Sequence, residues 1–234
     1  MSKSRGNVVA PDEYVARLGA DAVRVYLMFI GPWEQGGEWD DSGIAGVSRW
    51  LNRVWGLVLT PTETVDRGDA SAVRELRRLT HKTIRRVGED IERFRFNTMV
   101  AALMEYTNYL TKAKEAGPVD AGAWREAMDT LLLLLAPSAP HLAEELWQRS
   151  GCPYSIHDQR WPEWDAALAE EEEITLIVQV NGKLRDRIQV AVDIGEEEAK
   201  ELALSSEKVK AHLEGKQVQR VIYVPGRLVN VVVR

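Results

Sequence analysis

The feature that most restricts the fold is a change of hydrophobic period at Ile174. Upstream, apolar residues recur every three or four positions; from Ile174 onward, Ile174, Leu176, Val178 and Val180 alternate with polar neighbours. The first spacing marks one face of a helix and the second one face of a strand, and neither element satisfies the other's pattern. The chain must therefore combine two differently built parts, a helical bundle and a small α+β domain. At 234 residues, 45% of them hydrophobic, it is long enough for two cores.

Within the helical part, Pro11 suits a first helical turn, and Tyr14, Val15 and Leu18 form a stripe that closes at Gly19. Residues 21–30 are apolar on nearly every side, which predicts a buried helix stopped by Gly31-Pro32. A loop over 31–39 leads to Asp40-Asp41-Ser42, N-cap chemistry for a helix carrying Ile44, Val47, Leu51, Val54, Trp55 and Val58. The spacing from Val73 to Phe94 predicts a long helix over 72–95, and Asn97 or Thr98 is placed to cap the next, which ends at Ala116-Gly117-Pro118. Two more helices, about 121–135 and 141–149, complete an antiparallel bundle. Trp161-Pro162-Glu163-Trp164 reads as an extended segment lying against it.

The division expected is thus an entry segment over 1–39, a bundle over 40–165, an acidic solvated tether over 166–173, and a β-β-α-β-β module over 174–234. In the module Asn181-Gly182 is a two-residue hairpin signal, residues 196–213 are helical with a break at Ser205-Ser206, and a second hairpin turns at Pro225-Gly226.

Several chemistries are disfavoured. One cysteine, Cys152, excludes an internal disulfide framework and a cysteine-rich zinc module, and fits a reducing cytoplasm. His81, His141, His157 and His212 lack metal-ligand spacing, so no metal site is expected. The longest apolar run, 131–136, is too short to span a bilayer. No nucleophile triad and no glycine-rich loop between strand and helix is present. A net charge of −6 argues against a uniformly basic binder of nucleic acid but leaves local patches open.

Two such patches stand out. Arg74, Arg78, Lys82 and Arg85 project on one flank of the long helix, with His81 at its edge: a candidate phosphate track, or a solvated face paired with Glu75 and Glu89. In the module, Arg185, Arg187 and Gln189 share the strand face opposite Leu184 and Ile188, with Lys183 at the turn and Arg227 in the second hairpin. Nucleic-acid binding and edge-strand protection by cations both account for this set. At the N-terminus, Lys3 between Ser2 and Ser4 supplies a cation and hydroxyls on a pliable backbone, suited to a loop closing on a polyphosphate or simply to a solvated tail.

Separated stretches resemble one family. Met1-Ser2-Lys3-Ser4 is similar to the KMSKS signature of class I aminoacyl-tRNA synthetases, without its first lysine. Residues 19–55, RFNTMVAALMEYTNYL, LLAPSAPHLAEELWQ and ITLIVQVNGKLRDRI resemble the bacterial-type leucyl-tRNA synthetases from that signature onward. The resemblance implies a class Ia anticodon-binding helical bundle followed by a small C-terminal domain, both engaging tRNA(Leu) and neither DNA nor a membrane. It implies that Lys3, flanked by Ser2 and Ser4, is the signature's second lysine, catalytic towards the pyrophosphate of ATP. ATP with Mg2+, the leucine pocket and the HIGH signature would belong to an upstream catalytic half. The chain is then expected to bind tRNA without aminoacylating it and to hold no tightly bound cofactor. The alternative is a stand-alone helical scaffold for protein contacts.

Overall fold

A computed structural model describes residues 8–170, 173–192 and 194–234. Ser2, Lys3 and Ser4 lie outside the described residues, as do Glu171 and Glu172 of the expected tether. The chain divides between Glu170 and Glu171 into two compact units.

The first unit contains α1 (Pro11–Leu18), α2 (Ala20–Phe29), α3 (Asp41–Leu59), β1 (Thr64–Val65), α4 (Ala70–Glu92), α5 (Phe96–Glu115), β2 (Val119–Asp120), α6 (Ala121–Leu135), α7 (Pro140–Arg149) and the single turn α8 (Ala166–Ala169). Helix starts follow local chemistry. Asp40 accepts from the Ser42 and Gly43 amides, Asp69 from Ser71 and Ala72, and Asp120 from Ala123, each satisfying donors that a first turn leaves unpaired. Helix α5 starts at Phe96, one residue ahead of the expected caps, with no side-chain cap; the Thr98 hydroxyl instead donates to the Arg95 carbonyl.

Helix α7 is capped from a distance. Buried Asp21 of α2 accepts the Leu142 amide at 2.7 Å and approaches His141 Nδ1 at 2.8 Å, so a carboxylate 121 positions away stands at the positive end of the helix. Asp21 comes from the helix predicted to be apolar all round. Only one side of that helix is buried, through Ala22, Val23, Val25 and Tyr26, while Leu27 is 48% and Phe29 37% exposed.

The core is continuous from α2 to α7 and takes in Ile44, Trp50, Met99, Leu103, Leu131 and Leu146. Polar groups within it are paired with one another: the Trp50 indole N–H donates to Thr107 Oγ1 at 3.1 Å, and the Thr80 and Tyr106 hydroxyls lie 2.7 Å apart. Beyond α7 the connector runs back along α4. Trp161 lies against Gly88, Trp164 sits under the Arg85 guanidinium at 5.3 Å, and the Asp165 amide donates to His81 Nδ1 at 3.0 Å. The extended segment thus packs on the bundle as its tryptophans suggest. The stretch expected as tether opens with α8, whose Ala169 is buried.

The second unit comprises β3 (Glu173–Val180), β4 (Lys183–Ala191), α9 (Glu196–Ser205), α10 (Glu207–Leu213), β5 (Val218–Val224) and β6 (Leu228–Val233). The sheet order is β4-β3-β6-β5, with two antiparallel hairpins joined through a parallel β3–β6 pair. One face, with Leu176, Val178, Val180, Val229 and Val231, is buried with Ala199, Ala203 and Val209 of the helices. Asn181 and Gly182 both take positive φ, as a tight two-residue hairpin requires.

Strand β4 departs from simple alternation. Val178 pairs with Asp186 and Gln179 with Leu184, which leaves Arg185 as an extra residue in a β-bulge. The inserted residue reverses the parity of the strand. Leu184 therefore does not share the face of Ile188, as strict alternation predicts, but stands 47% exposed opposite Gln179, while Asp186 lies on the helix-covered side.

Candidate functional site

The two cationic surfaces differ in how much of their charge is already committed. On α4, Arg78 closes on Glu75 through two 2.7 Å bonds and keeps only 18% of its side chain exposed. Arg85 stacks over Trp164. Lys82 lines a groove of about 230 Å³ between α4 and α5 with Arg86, Glu105, Tyr106 and Tyr109, and Arg74 remains exposed near the start of the helix. Burial of Tyr106 pushes its phenol far above the usual range, so it serves the core as a neutral hydroxyl. On the predicted flank one arginine, Arg78, is therefore drawn down by a carboxylate one turn away, and another, Arg85, stays exposed while stacked on a tryptophan of the connector.

His81 is a structural residue. Its Nδ1 accepts the Asp165 amide, which places the ring proton on Nε2, 3.1 Å from Glu126 Oε1. It ties α4 to α6 and to the connector.

In the second unit the bare face of the sheet carries Arg187 and Gln189 of β4 together with Arg220 of β5, since their partners Ile177, Thr175 and Val232 alternate with buried neighbours. Between them lie the partly exposed Ile177, Ile222, Leu228 and Val232. Arg187 and Arg227 flank β3 at one level: Arg187 pairs with Ile177, whose amide donates to the Arg227 carbonyl at 3.2 Å. Two strand spacings separate them, about 10 Å. Lys183 sits at the other end of the sheet beside the Asn181-Gly182 turn, and Arg185 is half-buried in the bulge. Arg220 joins this face by simple alternation with Ile222; the inserted residue, Gln219, precedes it and breaks the alternation only towards Val218.

Among the described residues no group of three or more His, Cys, Asp or Glu side chains could hold a metal ion. Among the same residues no helix is long and apolar enough to cross a membrane.

Residues 73–200 match the family model described as the anticodon-binding domain of tRNA ligase, more than half of the chain. The chain belongs to that family. The leucine–tRNA ligase of Dehalococcoides mccartyi is 59% identical over 234 residues, which is all of this chain and 29% of that protein. That of Rubrobacter xylanophilus is 56% identical over 233 residues, again the whole chain and 28% of the relative. The chain spans under a third of the length of these curated relatives and matches their C-terminal part. Among solved structures, the LeuRS of Agrobacterium radiobacter in a ternary complex with tRNA and LeuAMS superposes with a TM-score of 0.80 at 34% identity. The match covers all of this chain and 31% of that one. Both units, bundle and α+β module, thus fall within this single structural match.

Proposed function

We propose that the chain is the tRNA-engaging C-terminal portion of a cytoplasmic leucine–tRNA ligase, and that by itself it binds tRNA(Leu) without charging it. The whole-chain match to a LeuRS solved with tRNA carries this reading. The second unit supports it: Arg187 and Arg220 on the bare face of the sheet, separated by partly exposed apolar residues, with Arg227 in the second hairpin at the level of Arg187, suit contacts to RNA backbone and shape rather than to base sequence. Arg187, Arg220 and Arg227 are the principal contacts, joined by Lys183 and Arg185 at the bulged end and by Arg74 and Lys82 on the bundle. Lys3, between Ser2 and Ser4, serves the pyrophosphate of ATP in the full-length enzyme, where Mg2+ arrives with the nucleotide and the leucine pocket lies in the preceding segment.

The test is anisotropy of labelled tRNA(Leu) titrated with the chain over a range of salt. Affinity should fall linearly on a log–log plot, and Arg187→Glu with Arg227→Glu should lower the slope by about 1 per lost phosphate contact. A salt-indifferent chain would instead be a scaffold, a reading that the pairing of Arg78 with Glu75 and the stacking of Arg85 on Trp164 favour for the bundle flank alone. Leucine-dependent pyrophosphate exchange by the purified chain would overturn its assignment as inactive.

A further inference from the structure

An aromatic cluster stands where α4 ends and the chain turns into α5. Trp33 and Phe94 are 59% and 61% exposed, and each meets Phe96 edge-on with centroids 5.5 Å apart. Large apolar side chains are seldom presented in contiguous groups without a partner.

The backbone holds all three in place. Phe94 follows α4 with φ of +53°, the position where a helix usually ends in glycine; its amide bonds the Ile91 carbonyl at 3.1 Å and the Arg95 amide reaches Asp90 at 2.8 Å. A bulky ring in left-handed backbone is disfavoured, and such an outlier is an argument for a role that glycine could not fill. Trp33 rides on a closed turn. A Cβ at Gly31 would stand 2.5 Å from the Gly36 carbonyl oxygen, and one at Gly37 would meet Ile30 at 2.7 Å, so the turn folds tightly upon itself. Phe96, at the start of α5, bridges the two.

Local charge disfavours a polyanion. Arg93 lies 3.8 Å from Glu89 and Arg95 is 2.8 Å from buried Asp90, while Glu34 and Glu92 add negative charge beside the rings. An apolar surface whose arginines are already paired with carboxylates fits another protein surface. In the relatives about seventy per cent of the polypeptide lies outside the matched C-terminal part, and the preceding segment joins this chain only a short way before Trp33. Covalent attachment at that distance gives it a high effective concentration at the cluster.

We infer that the Trp33–Phe94–Phe96 cluster is the docking surface for the segment that precedes this chain in the full-length ligase. The inference rests on reading the chain as part of such a ligase. The test is hydroxyl-radical footprinting of the isolated chain and of a chimera in which the preceding part of the Dehalococcoides mccartyi relative is fused to it. In the isolated chain Trp33 should oxidise as fast as exposed Trp161 and Trp164; in the chimera it should slow towards buried Trp50, with Phe94 protected in parallel. Phe94→Gly should leave the melting temperature of the isolated chain unlowered while restoring oxidation of Trp33 in the chimera. Equal oxidation of the rings in both proteins overturns the inference. So does protection of the isolated chain by added tRNA, which would make RNA the occupant, or by raised protein concentration, which would make it a second copy. Loss of tRNA binding with the chimera's protection intact would sink the proposed function and leave the docking surface standing.

Discussion

Asp186 occupies a site where alternation along β4 leads one to expect an apolar side chain, directly across from buried Val178. It is held there by the Ser206 hydroxyl at 2.6 Å and Lys208 Nζ at 3.0 Å, and these bonds to its charged form lower the carboxyl from 3.8 to about 2, the serine most of all. A depressed carboxylate stabilises the fold fully above its unfolded value and loses that contribution as pH falls through its folded value. The second unit should therefore lose stability between about pH 4 and pH 2 by this route. Asp186→Asn should flatten that part of the profile, as read from pH-dependent melting of the chain followed at the Val231 methyls. A steep loss persisting in the variant would assign it to other carboxylates.

Helix α7 shows what one tertiary contact does for an element. It begins at Ala139-Pro140 with no side-chain cap of its own, and Asp21 supplies the missing acceptor. Asp21→Ala should destabilise the helical unit by about 0.5–2 kcal/mol, the range for a lost N-cap, seen as a lower urea midpoint at unchanged m-value; Asp21→Asn, which keeps an acceptor, should cost less. This contact also marks the limit of sequence reading. Asp40 as a cap, the Asn181-Gly182 turn and the break at Ser205-Ser206 were all legible, since each depends on residues a few positions apart. The Asp21 cap, the His81 tie to Asp165 and the parallel β3–β6 pair join residues far apart in the chain, which no local period records. The cationic positions were legible as residues but only partly as a surface. An inserted residue at Arg185 is invisible to counting by twos, and the partners of Arg78 and Arg85 decide their direction more than helical projection does.

At the scale of the molecule, the chain has two separate hydrophobic cores, one in each unit. Calorimetry should resolve two transitions. Leu103→Ala, at a fully buried site in the bundle, should lower one of them by about 2–5 kcal/mol of stability and leave the other in place, while Val231→Ala should act only on its counterpart. A single transition shifted by both variants would mean that the units unfold as one. Within the first unit, the short parallel pair of Thr64–Val65 with Val119–Asp120 joins the link after α3 to the link before α6, and Asp120 takes the Gly68 amide as well as that of Ala123. Two loops more than fifty residues apart thus behave as a single knot. Lengthening either one would pull on the other, and a cut in one would leave its ends still laced to the helix pair beside it.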